Sequence, residues 1–416
     1  HEVAYCFDED GIHMERTPIY HMVASIAFLQ SVLLCRKNGI YVPDYAMAKI
    51  EKSAEFLMDI TKPDFSTPML GDADRNDFLS WKADTSVYEG MNLSFFPDDM
   101  NEIRAYFALM AKLTGREDFL YVSTGGKEGK APEKNESKFS DGGIYVFRTG
   151  FGKEDYLMTQ MVRLESGEVS SHSHNDTGHV ELMLGGEDIL IDCGRYIYNS
   201  SIWKDWRHYF LSAKAHNTFY CDDHYNGEIE EFPKRRGVRG TCHKFESTDR
   251  YKIVDISHNG FAYLDDPVFH RRACILLPGK DCLVVIDKVT GLSGADHDMR
   301  FYWNFATDNG EADEAKAVYT APSGKRYELE YFSSVDGWKG SMLIGSEDPK
   351  GGWVSYGYPV RKPIAQYCVS RMGKAPFVMA TVIKKEGTEC SVSFDEGRIR
   401  IDGIQIAFDD KGVEVL

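Results

Sequence analysis

The pattern of apolar and polar positions begins with a helical period. Near the start of the chain, Thr17 is a suitable N-cap, Pro18 suits the first helical position, and Gly39 follows a cationic end as a stop signal. Apolar residues surround this segment almost completely, which predicts an inner helix rather than a surface one. Further helices are predicted at roughly 44–60 and 99–114.

A strand period replaces the helical one in the rest of the chain. Short β-branched and aromatic runs end at Gly and Asp turns, with no helix between them, which predicts antiparallel sheets packed as a β-sandwich. A Gly-, Lys- and Glu-rich stretch separates the two periods and indicates a domain boundary or a long exposed loop. The predicted organisation is a multidomain α+β protein. Its parts are a helical domain at 1–122, a boundary loop at 123–141, a central β-sandwich at 142–330 and a C-terminal β-rich region at 331–416.

Three features bear on where the protein works. The chain begins at His1 without the marks of a signal peptide, and we expect it to be cut from a longer protein. No stretch reaches the twenty or so uncharged apolar residues of a membrane span, so we expect no membrane partner. Nine scattered cysteines without a CxxC pair favour free thiols in a reducing compartment, although a weakly oxidised periplasmic protein stays open. We therefore expect a bacterial protein of the cytoplasm, with the periplasm as the alternative.

The formal net charge of −17 argues against a nucleic-acid partner, because phosphate binding relies on a positive surface. It does not exclude an acidic sugar, whose site needs only local positive charge. Two basic stretches stand out, "PKRRGVRG" at 233–240 and "HRR" at 270–272. Taken singly, each is most simply a set of solvated loop or strand positions.

The stretch "SHSHNDTGHVEL" suggests metal ligation. His172 and His174 are two residues apart, so on a predicted strand they point to the same face. Asp192 ends a later apolar strand and His216 follows in "AHNT". Two imidazoles and a carboxylate from separate strands suit zinc with one position left for water. The alternative is a set of strand histidines that form hydrogen bonds at a sheet edge.

The segment "WRHYFLSAKAHNT" suggests proton transfer. It concentrates cationic and titratable side chains between two strands, namely Arg207, His208, Tyr209, Lys214 and His216. A tyrosine beside cationic groups can serve as base and then as acid, because the cations stabilise its ionised form. The alternative is that Tyr209 and Phe210 are ordinary core aromatics.

Five motifs in order carry a resemblance to a known family. They are "DGIHMERTPIYH", "SDGGIYVFRTGFGKEDYLM", "SHSHNDTGHVELMLGGEDILIDCG", "WRHYFLSAKAHNTFYCDD" and "FHRRACILLPGKDCLVVIDKVTG" with "DHDMRFYWNF". Together they resemble the heparinase II/III family of polysaccharide lyases, which includes heparinases and exolytic alginate lyases. The resemblance extends to about residue 305. It implies the C-terminal part of an (α/α) toroid followed by an antiparallel β-sandwich, with the active site in the cleft between them.

The resemblance also implies roles for single residues. Tyr20 corresponds to a catalytic tyrosine, His172 to a catalytic histidine, and Tyr209 to a second tyrosine of the alginate-lyase branch. A structural zinc ion is implied at His174, Asp192 and His216. The implied substrate is an acidic oligo- or polysaccharide, such as heparan sulfate, hyaluronan or alginate.

The implied reaction is β-elimination, which removes the C5 proton of a uronate and expels the O4 oxygen. Tyr20 is expected as the acid, and as the base for one epimer, with His172 as the base for the other. The family's Asn or Asn-His pair, which neutralises the substrate carboxylate, does not occur in this sequence. Arg207 and Arg16 are the candidates to assist in its place. Arg236, in the first basic stretch, would suit a sulfated chain.

Two alternatives come from other classes. A cupin would explain the HxH motif with Glu181, although the interval is longer than usual, and it would require Glu181 rather than Asp192 as a ligand. A non-catalytic carbohydrate-binding protein on the same scaffold would use the six Trp and twenty-three Tyr residues as stacking surfaces. The oligomeric state stays open.

Overall fold

A computed structural model describes residues 2–73, 102–151, 155–160, 172–198, 204–222, 239–357, 359–395, 398–401, 403–408 and 413–415. The helices of these ranges are α1 (Glu2–Cys6), α2 (Pro18–Lys37), α3 (Asp44–Ile60), α4 (Glu102–Thr114), α5 (Glu117–Ser123) and α6 (Lys204–Leu211). The predicted helices after residues 17, 44 and 99 correspond to α2, α3 and α4, and residues 99–101 lie outside the described ranges.

The helix α2 begins and ends as the sequence predicts. The side chain of Thr17 accepts a hydrogen bond from the backbone N–H of Tyr20 at 3.4 Å, and Pro18 lies in the first turn. Gly39 adopts a φ of 67°, a left-handed conformation that suits a residue just past a helix end. Eight of the twenty residues of α2 are buried, whereas Ala27, Ser31 and Leu34 are exposed, so the predicted inner helix also has one exposed face.

By length and composition α2 is also apolar enough to cross a membrane, contrary to the expectation that no segment of the chain is sufficiently apolar. The core helix of a globular protein meets the same criterion. Met22, Ile26 and Leu29 of this helix belong to the apolar core that it shares with α3, α4 and α5. The described residues contain no second helix of this kind.

His21 is sealed within the helical core as a neutral imidazole. Its Nδ1 accepts a hydrogen bond from the backbone N–H of His13 at 3.1 Å, and its Nε2 donates to the carbonyl oxygen of Ser53 at 3.0 Å. Burial lowers the pKa of His21 to about 3. Between that pH and the ordinary histidine value of about 6.5, only the unfolded chain binds this proton.

We therefore expect the free energy of unfolding to fall as the pH is lowered from about 6.5 towards 3. His21 contributes up to about 1.4 kcal/mol per pH unit to this slope. Urea denaturation of the wild type and of His21→Phe across this range checks the expectation. The variant should show the shallower slope, whatever its stability at neutral pH. Parallel pH profiles for the two proteins would contradict this assignment.

The strands of the described residues form six sheets, and their pairings are antiparallel. The first sheet has the order β1 (Glu136–Phe139), β2 (Ile144–Arg148), β3 (Tyr156–Gln160), β4 (His179–Leu184), β5 (Glu187–Leu190). An eight-stranded sheet has the order β12 (Gly310–Ala312), β13 (Lys316–Thr320), β14 (Arg326–Ser333), β21 (Phe377–Lys385), β10 (Cys282–Gly291), β9 (Val268–Leu277), β8 (Lys252–Phe261), β7 (Gly240–Ser247).

Four smaller sheets complete the fold. The first is β15 (Lys339–Ile344), β20 (Ala365–Lys374), β11 (Asp296–Asn304), β6 (Phe219–Cys221). Two hairpins are β16 (Ser346–Glu347) with β17 (Lys350–Gly351), and β18 (Trp353–Gly357) with β19 (Val360–Pro363). The last sheet is β22 (Val392–Asp395), β23 (Arg398–Ile401), β24 (Ile404–Phe408), β25 (Val413–Val415).

The five-stranded sheet separates two apolar cores. Ile144 and Val146 of β2 pack with the helices, whereas Tyr145 and Phe147 pack with the eight-stranded sheet. This division follows from the strand period, because successive side chains point to opposite faces. The fold is therefore α+β, with one sheet face serving the helical part and the other the β-rich part.

The sheets cross two of the predicted domain boundaries. Strand β1 lies inside the predicted loop 123–141 and pairs with β2. Strand β21 pairs with β10 and β14, so the region 331–416 shares a sheet with the central region. The partner of a strand is set by packing between segments far apart in sequence, which a local hydrophobic pattern does not reveal.

Candidate active site

His172 lies at the centre of a polar cluster between the helices and the sheets. Its imidazole stacks on the ring of Tyr20, with the ring centroids 3.9 Å apart and the planes inclined by 17°. Its Nδ1 lies 3.2 Å from Oδ2 of Asp72 and 3.4 Å from the hydroxyl oxygen of Tyr198. The fold thus brings together Tyr20 and His172, the two residues that the sequence marks as acid and base.

The two histidines of the SHSH motif do not lie on a strand, contrary to the prediction. Residues 172–178 form turns and irregular backbone, and β4 begins only at His179. The loop after α3 holds this segment, because the backbone N–H of Asp72 donates to the carbonyl oxygen of His172 at 3.0 Å. A contact with a distant loop takes the place of strand pairing here.

Asp72 is a buried carboxylate that orients both histidines. Its Oδ1 lies 2.9 Å from Nε2 of His174, and the guanidinium of Arg207 contacts both of its oxygens, with Nη2 at 2.8 Å from Oδ2. Burial raises the pKa of Asp72, but hydrogen bonds from His172 and His174 and the charge of Arg207 outweigh burial and hold it far below its ordinary value. Arg207, predicted to bind substrate, is thus committed to Asp72.

Arg195 approaches the hydroxyl group of Tyr20. Its Nη1 donates to the Tyr20 oxygen at 3.2 Å. Burial raises the pKa of Tyr20, and the charge of Arg195 opposes that shift. Tyr20 is therefore a proton donor whose ionised form has a cation beside it. Gly194 shapes this turn, since its φ is 71° and a Cβ there would lie 2.5 Å from the carbonyl oxygen of Ser355.

Two further side chains flank His172 on its open side. Tyr198 is 43% exposed and its hydroxyl faces the imidazole. Oε1 of Glu15 lies 3.8 Å from Nε2 of His172. Burial raises the pKa of Tyr198, so it too carries its proton at neutral pH. A ligand that enters along this side would meet Tyr198 before His172.

Tyr209, predicted as a second catalytic tyrosine, points away from this cluster. Its hydroxyl oxygen accepts hydrogen bonds from the backbone N–H of Trp353 at 3.3 Å and from Nε2 of Gln366 at 3.4 Å. The side chain is 4% exposed, and burial strongly raises its pKa. The alternative interpretation, a core aromatic, describes Tyr209 better, and Tyr198 is the second tyrosine beside His172.

Arg16, another predicted substrate-binding arginine, is held by groups outside the cluster. Nη2 of Arg16 lies 2.7 Å from Oδ2 of Asp8, and its Nη1 donates to the carbonyl oxygen of Asp141 at 2.6 Å. Arg16 therefore ties the first residues of the chain to the β1–β2 turn. Arg236 lies outside the described residues, so its prediction stays a prediction.

A buried group of metal-ligand type lies next to this site. Asp192, His216 and His179 present donor atoms that all lie within 4.8 Å of one another. Nδ1 of His216 is 2.9 Å from Oδ2 of Asp192. Two of the predicted ligands are thus together, and the nearest histidine in this group is His179 rather than the predicted His174.

The hydrogen bonds of His179 and His174 decide which of the two can offer a nitrogen lone pair to a metal ion. Nδ1 of His179 accepts from the backbone N–H of Asn217 at 3.0 Å, so its proton resides on Nε2. Nε2 of His174 faces Asp72, which leaves Nδ1 as the acceptor nitrogen, and that atom is buried with no hydrogen-bond partner. A carboxylate on the far nitrogen is the usual support of a zinc-bound histidine. The centroid of the His174 ring lies 5.3 Å from that of His216.

A second group of this type lies in the β-rich part. Cys221, Asp222 and His297 have donor atoms within 4.8 Å of one another. His297 is already engaged by two carboxylates, with Nδ1 2.6 Å from Asp222 and Nε2 3.2 Å from Asp266. This group is therefore an ion-paired tie between strands.

A buried cation supports the first metal-type group from the helical side. Nζ of Lys62 lies 3.0 Å from Oε1 of Glu181 and also contacts Asp188. The other oxygen of Glu181 accepts from the backbone N–H of Asp192 at 2.8 Å and faces Nε2 of His179 at 3.4 Å. Lys62 thus connects the end of α3 to the backbone that carries Asp192. Glu181 is occupied by this role, whereas a cupin would require it as a ligand.

The arrangement supports general acid and base chemistry. A histidine oriented by a carboxylate can accept a proton, and a stacked tyrosine beside a guanidinium can donate one and stay stable when ionised. Tyr198 and Arg195 were missed by sequence analysis. Both stand in "CGRYIYN", directly after the strand that leads to Asp192, where loops commonly carry function. Their position in this loop is the only indication in the sequence that Tyr198 and Arg195 belong to the site.

Two family models match this chain. The model described as heparinase II/III-like, C-terminal, matches residues 131–393, which is more than half of the chain. The model described as heparinase II/III N-terminus matches residues 1–103.

Curated relatives carry the name heparin-sulfate lyase. The one from Pedobacter heparinus is 27% identical over 75% of this chain and 42% of its own length. The one from Bacteroides stercoris is 25% identical over 85% of this chain and 46% of its own length. The chain therefore spans less than half the length of these relatives.

Solved structures show the fold. A heparan sulfate lyase from Pedobacter heparinus superimposes with a TM-score of 0.76 and 20% identity, over the whole of this chain and 60% of that one. A heparinase III superimposes with a TM-score of 0.75 and 19% identity, over 97% of this chain and 61% of that one.

Proposed function

This chain belongs to the heparinase II/III family, and we propose that it carries catalytic residues of a polysaccharide lyase that cleaves uronic-acid-containing glycosaminoglycans by β-elimination. The observation that carries the proposal is the stacked pair of Tyr20 and His172 beside the buried Asp72. The names of the relatives favour heparan sulfate as the substrate over hyaluronan or alginate.

In the proposed reaction His172 accepts the C5 proton of the uronate. The C5–H electron pair becomes the C4–C5 double bond, the C4–O4 bond breaks, and Tyr20 donates its proton to the departing O4 oxygen. Asp72 keeps the imidazole oriented and stabilises its protonated form. For the opposite C5 epimer, Tyr20 serves as both base and acid.

Negative charge accumulates on the substrate carboxylate as the C5 proton leaves, so a cation or donor must stabilise it. We assign this assistance to Arg195, which lies beside the Tyr20 hydroxyl. Arg207 is ion-paired with Asp72, and Arg16 is ion-paired with Asp8. Tyr198 is the additional donor on the open side of the site.

The experiment that tests this function measures the formation of 4,5-unsaturated uronate by its ultraviolet absorbance. Heparan sulfate, hyaluronan and alginate oligosaccharides are incubated with this chain and with any longer product of its gene. Product from heparan sulfate supports the proposal. Sugar binding without product from either protein would favour the non-catalytic carbohydrate-binding alternative. The cupin alternative is the weaker one, because Glu181 pairs with Lys62.

We also propose a structural zinc ion at His174, Asp192 and His216. The buried Nδ1 of His174 supports this choice, and so does the carboxylate that faces its other nitrogen. The ion would tie the segment 172–178 to the strand end at Asp192 and to the turn before β6. Elimination consumes no water, so the metal need not activate one.

We expect one zinc ion per chain, measured by mass spectrometry of the purified protein. His174→Ala and His216→Ala should both lose it, and the apoprotein should melt at a lower temperature, since metal that binds only the folded state stabilises it. His179→Gln is the matched control and should retain zinc. The opposite result, with zinc lost from His179→Gln and kept by His174→Ala, would transfer the ligand role to His179.

The finer architecture and the cellular context are part of the same proposal. We propose that the helices belong to an (α/α) toroid and that the five- and eight-stranded sheets form a β-sandwich. Nine free cysteines support a reducing bacterial compartment, with the cytoplasm favoured over the periplasm. Neither a nucleic acid nor a membrane is a proposed partner.

A further inference from the structure

Two cysteines meet where the eight-stranded sheet packs against the sheet of β22 to β25, which we call the C-terminal sheet. Cys282 is the first residue of β10 and is buried. Cys390 precedes β22, and its side chain is partly buried. Both pack in one apolar cluster with Val284 and Ile286 of β10 and Ile399 of β23. The two thiol groups therefore lie at the contact between the two sheets.

The strand period explains why Cys282 faces the C-terminal sheet. Successive side chains of a strand point to opposite faces. Leu283 and Val285 of β10 pack in the core that the eight-stranded sheet shares with the five-stranded sheet. Cys282 and Val284 pack in the cluster that includes the C-terminal sheet. Cys282 is therefore on the outer face of the eight-stranded sheet.

A turn after β21 returns the chain to Cys282. The backbone N–H of Lys385 donates to the carbonyl oxygen of Asp281 at 3.0 Å, so β21 ends beside the residue that precedes Cys282. Gly387 then adopts a φ of 83°, a left-handed conformation that suits a tight turn. Cys390 follows this turn and packs against the apolar cluster of Cys282. The fold thus brings together two cysteines that are far apart in the sequence.

The two thiol groups form an asymmetric pair, because a hydrogen bond joins them and favours ionisation of only one. That hydrogen bond, together with the charges of Lys384 and Lys280, lowers the pKa of Cys390 to about 7 although burial opposes this shift. The same hydrogen bond and burial raise the pKa of Cys282 far above its ordinary value. Cys390 is therefore partly ionised at neutral pH, with the protonated Cys282 beside it.

Three other cysteines are less suited to oxidation. Burial raises the pKa of Cys193, Cys221 and Cys368. Because the thiolate is the nucleophilic form, these residues react slowly. Cys390 is both partly ionised and partly exposed, so a small oxidant can reach it.

We propose that Cys282 and Cys390 form a reversible disulfide when a peroxide oxidises the protein, and that this bond fastens the C-terminal sheet to the eight-stranded sheet. The position of the two thiol groups carries this proposal, which does not depend on the lyase function. The two cysteines are about one hundred positions apart, so the bond closes a long loop and stabilises the fold by restricting the unfolded chain.

The bond forms in two steps. The thiolate sulfur of Cys390 attacks one oxygen of hydrogen peroxide, the O–O bond breaks, and hydroxide departs, which leaves a sulfenic acid on Cys390. The sulfur of Cys282 then attacks the sulfur of Cys390, the S–O bond breaks, and the hydroxyl group leaves with the proton of Cys282 as water. The two cysteines together lose two electrons and the peroxide gains them. A small thiol reverses the bond by exchange.

The test compares the wild type, Cys390→Ser, Cys282→Ser and the control Cys35→Ser after treatment with hydrogen peroxide. Cys35 is also partly buried, but it lies in α2. The remaining thiols are blocked, and peptides are mapped by mass spectrometry without reduction. We expect a peptide linked through Cys282 and Cys390 from the wild type and from the control. In Cys282→Ser, dimedone should label Cys390, because its sulfenic acid has no thiol beside it.

Melting temperatures measure what the bond does to the fold. We expect the oxidised wild type to melt several degrees above the reduced protein, dithiothreitol to abolish the difference, and Cys390→Ser to show no rise with peroxide. A wild type that keeps both thiols reduced under peroxide, or that pairs either one with a different cysteine, overturns the disulfide. A Cys282–Cys390 bond that leaves the melting temperature unchanged overturns its fastening role.

Discussion

Replacing His172 by alanine is expected to lower kcat/KM for unsaturated-uronate formation by about 10²- to 10⁴-fold, the contribution of one positioned proton-transfer group. The same loss is expected for Tyr20→Phe, which keeps the ring stacked on His172 and removes only the hydroxyl. Both predictions follow from the stacked rings and from the carboxylate of Asp72, which orients the imidazole. Initial rates with heparan sulfate oligosaccharides check them.

Tyr209→Phe and Tyr198→Phe form the matched comparison, since each removes one hydroxyl group. The Tyr209 hydroxyl is bonded within the core, so its loss should cost stability and change kcat/KM by less than about tenfold. The Tyr198 hydroxyl faces His172, so its loss should reduce kcat/KM more. A larger rate effect at Tyr209 would restore the role that the family resemblance implied for it.

The two epimers of the uronate separate the roles of Tyr20 and His172. If His172 is the base for one epimer and Tyr20 for the other, His172→Ala should spare one substrate more than the other. Glucuronate- and iduronate-containing oligosaccharides are compared with each variant. Equal losses on both substrates for both variants would contradict the division of roles.

Lys62→Met is expected to destabilise the fold by about 3–5 kcal/mol, because it leaves the buried Glu181 and the partly buried Asp188 without their cation. Burial lowers the pKa of Lys62, but Asp188 and Glu181 outweigh burial and raise it, so the amine stays charged. The lysine is almost completely buried, and so is Glu181. Urea denaturation measures the loss.

Lys339→Met is the control for Lys62→Met. Its amine lies 3.5 Å from Glu314, and both side chains are more than 70% exposed, so its loss should cost less than about 1 kcal/mol. If the two variants lost similar amounts of unfolding free energy, the buried ion pairs of Lys62 would not stabilise the fold more than an exposed ion pair does. Zinc content should also fall in Lys62→Met, since Glu181 holds the backbone of Asp192.

The residues of the polar cluster around His172 were only partly predictable from the sequence. Motif order identified Tyr20 and His172, and both lie in the cluster. The role of Asp72 depends on contacts with residues about one hundred positions away in the sequence. Tyr198 and Arg195 belong to a turn without a periodic pattern, so only the folded chain assigns them to the site.

The sequence by itself determined the elements that local forces govern: the capped helix α2, the change from helical to strand period, and the short glycine-bounded strands. Side-chain propensity and hydrophobic period act over a few residues, so they can be read without the fold. The tertiary structure alone decided which strand joins which sheet, and it placed the amine of Lys62 beside the carboxylate of Glu181. Such contacts depend on packing between segments far apart in sequence, and no local pattern contains them.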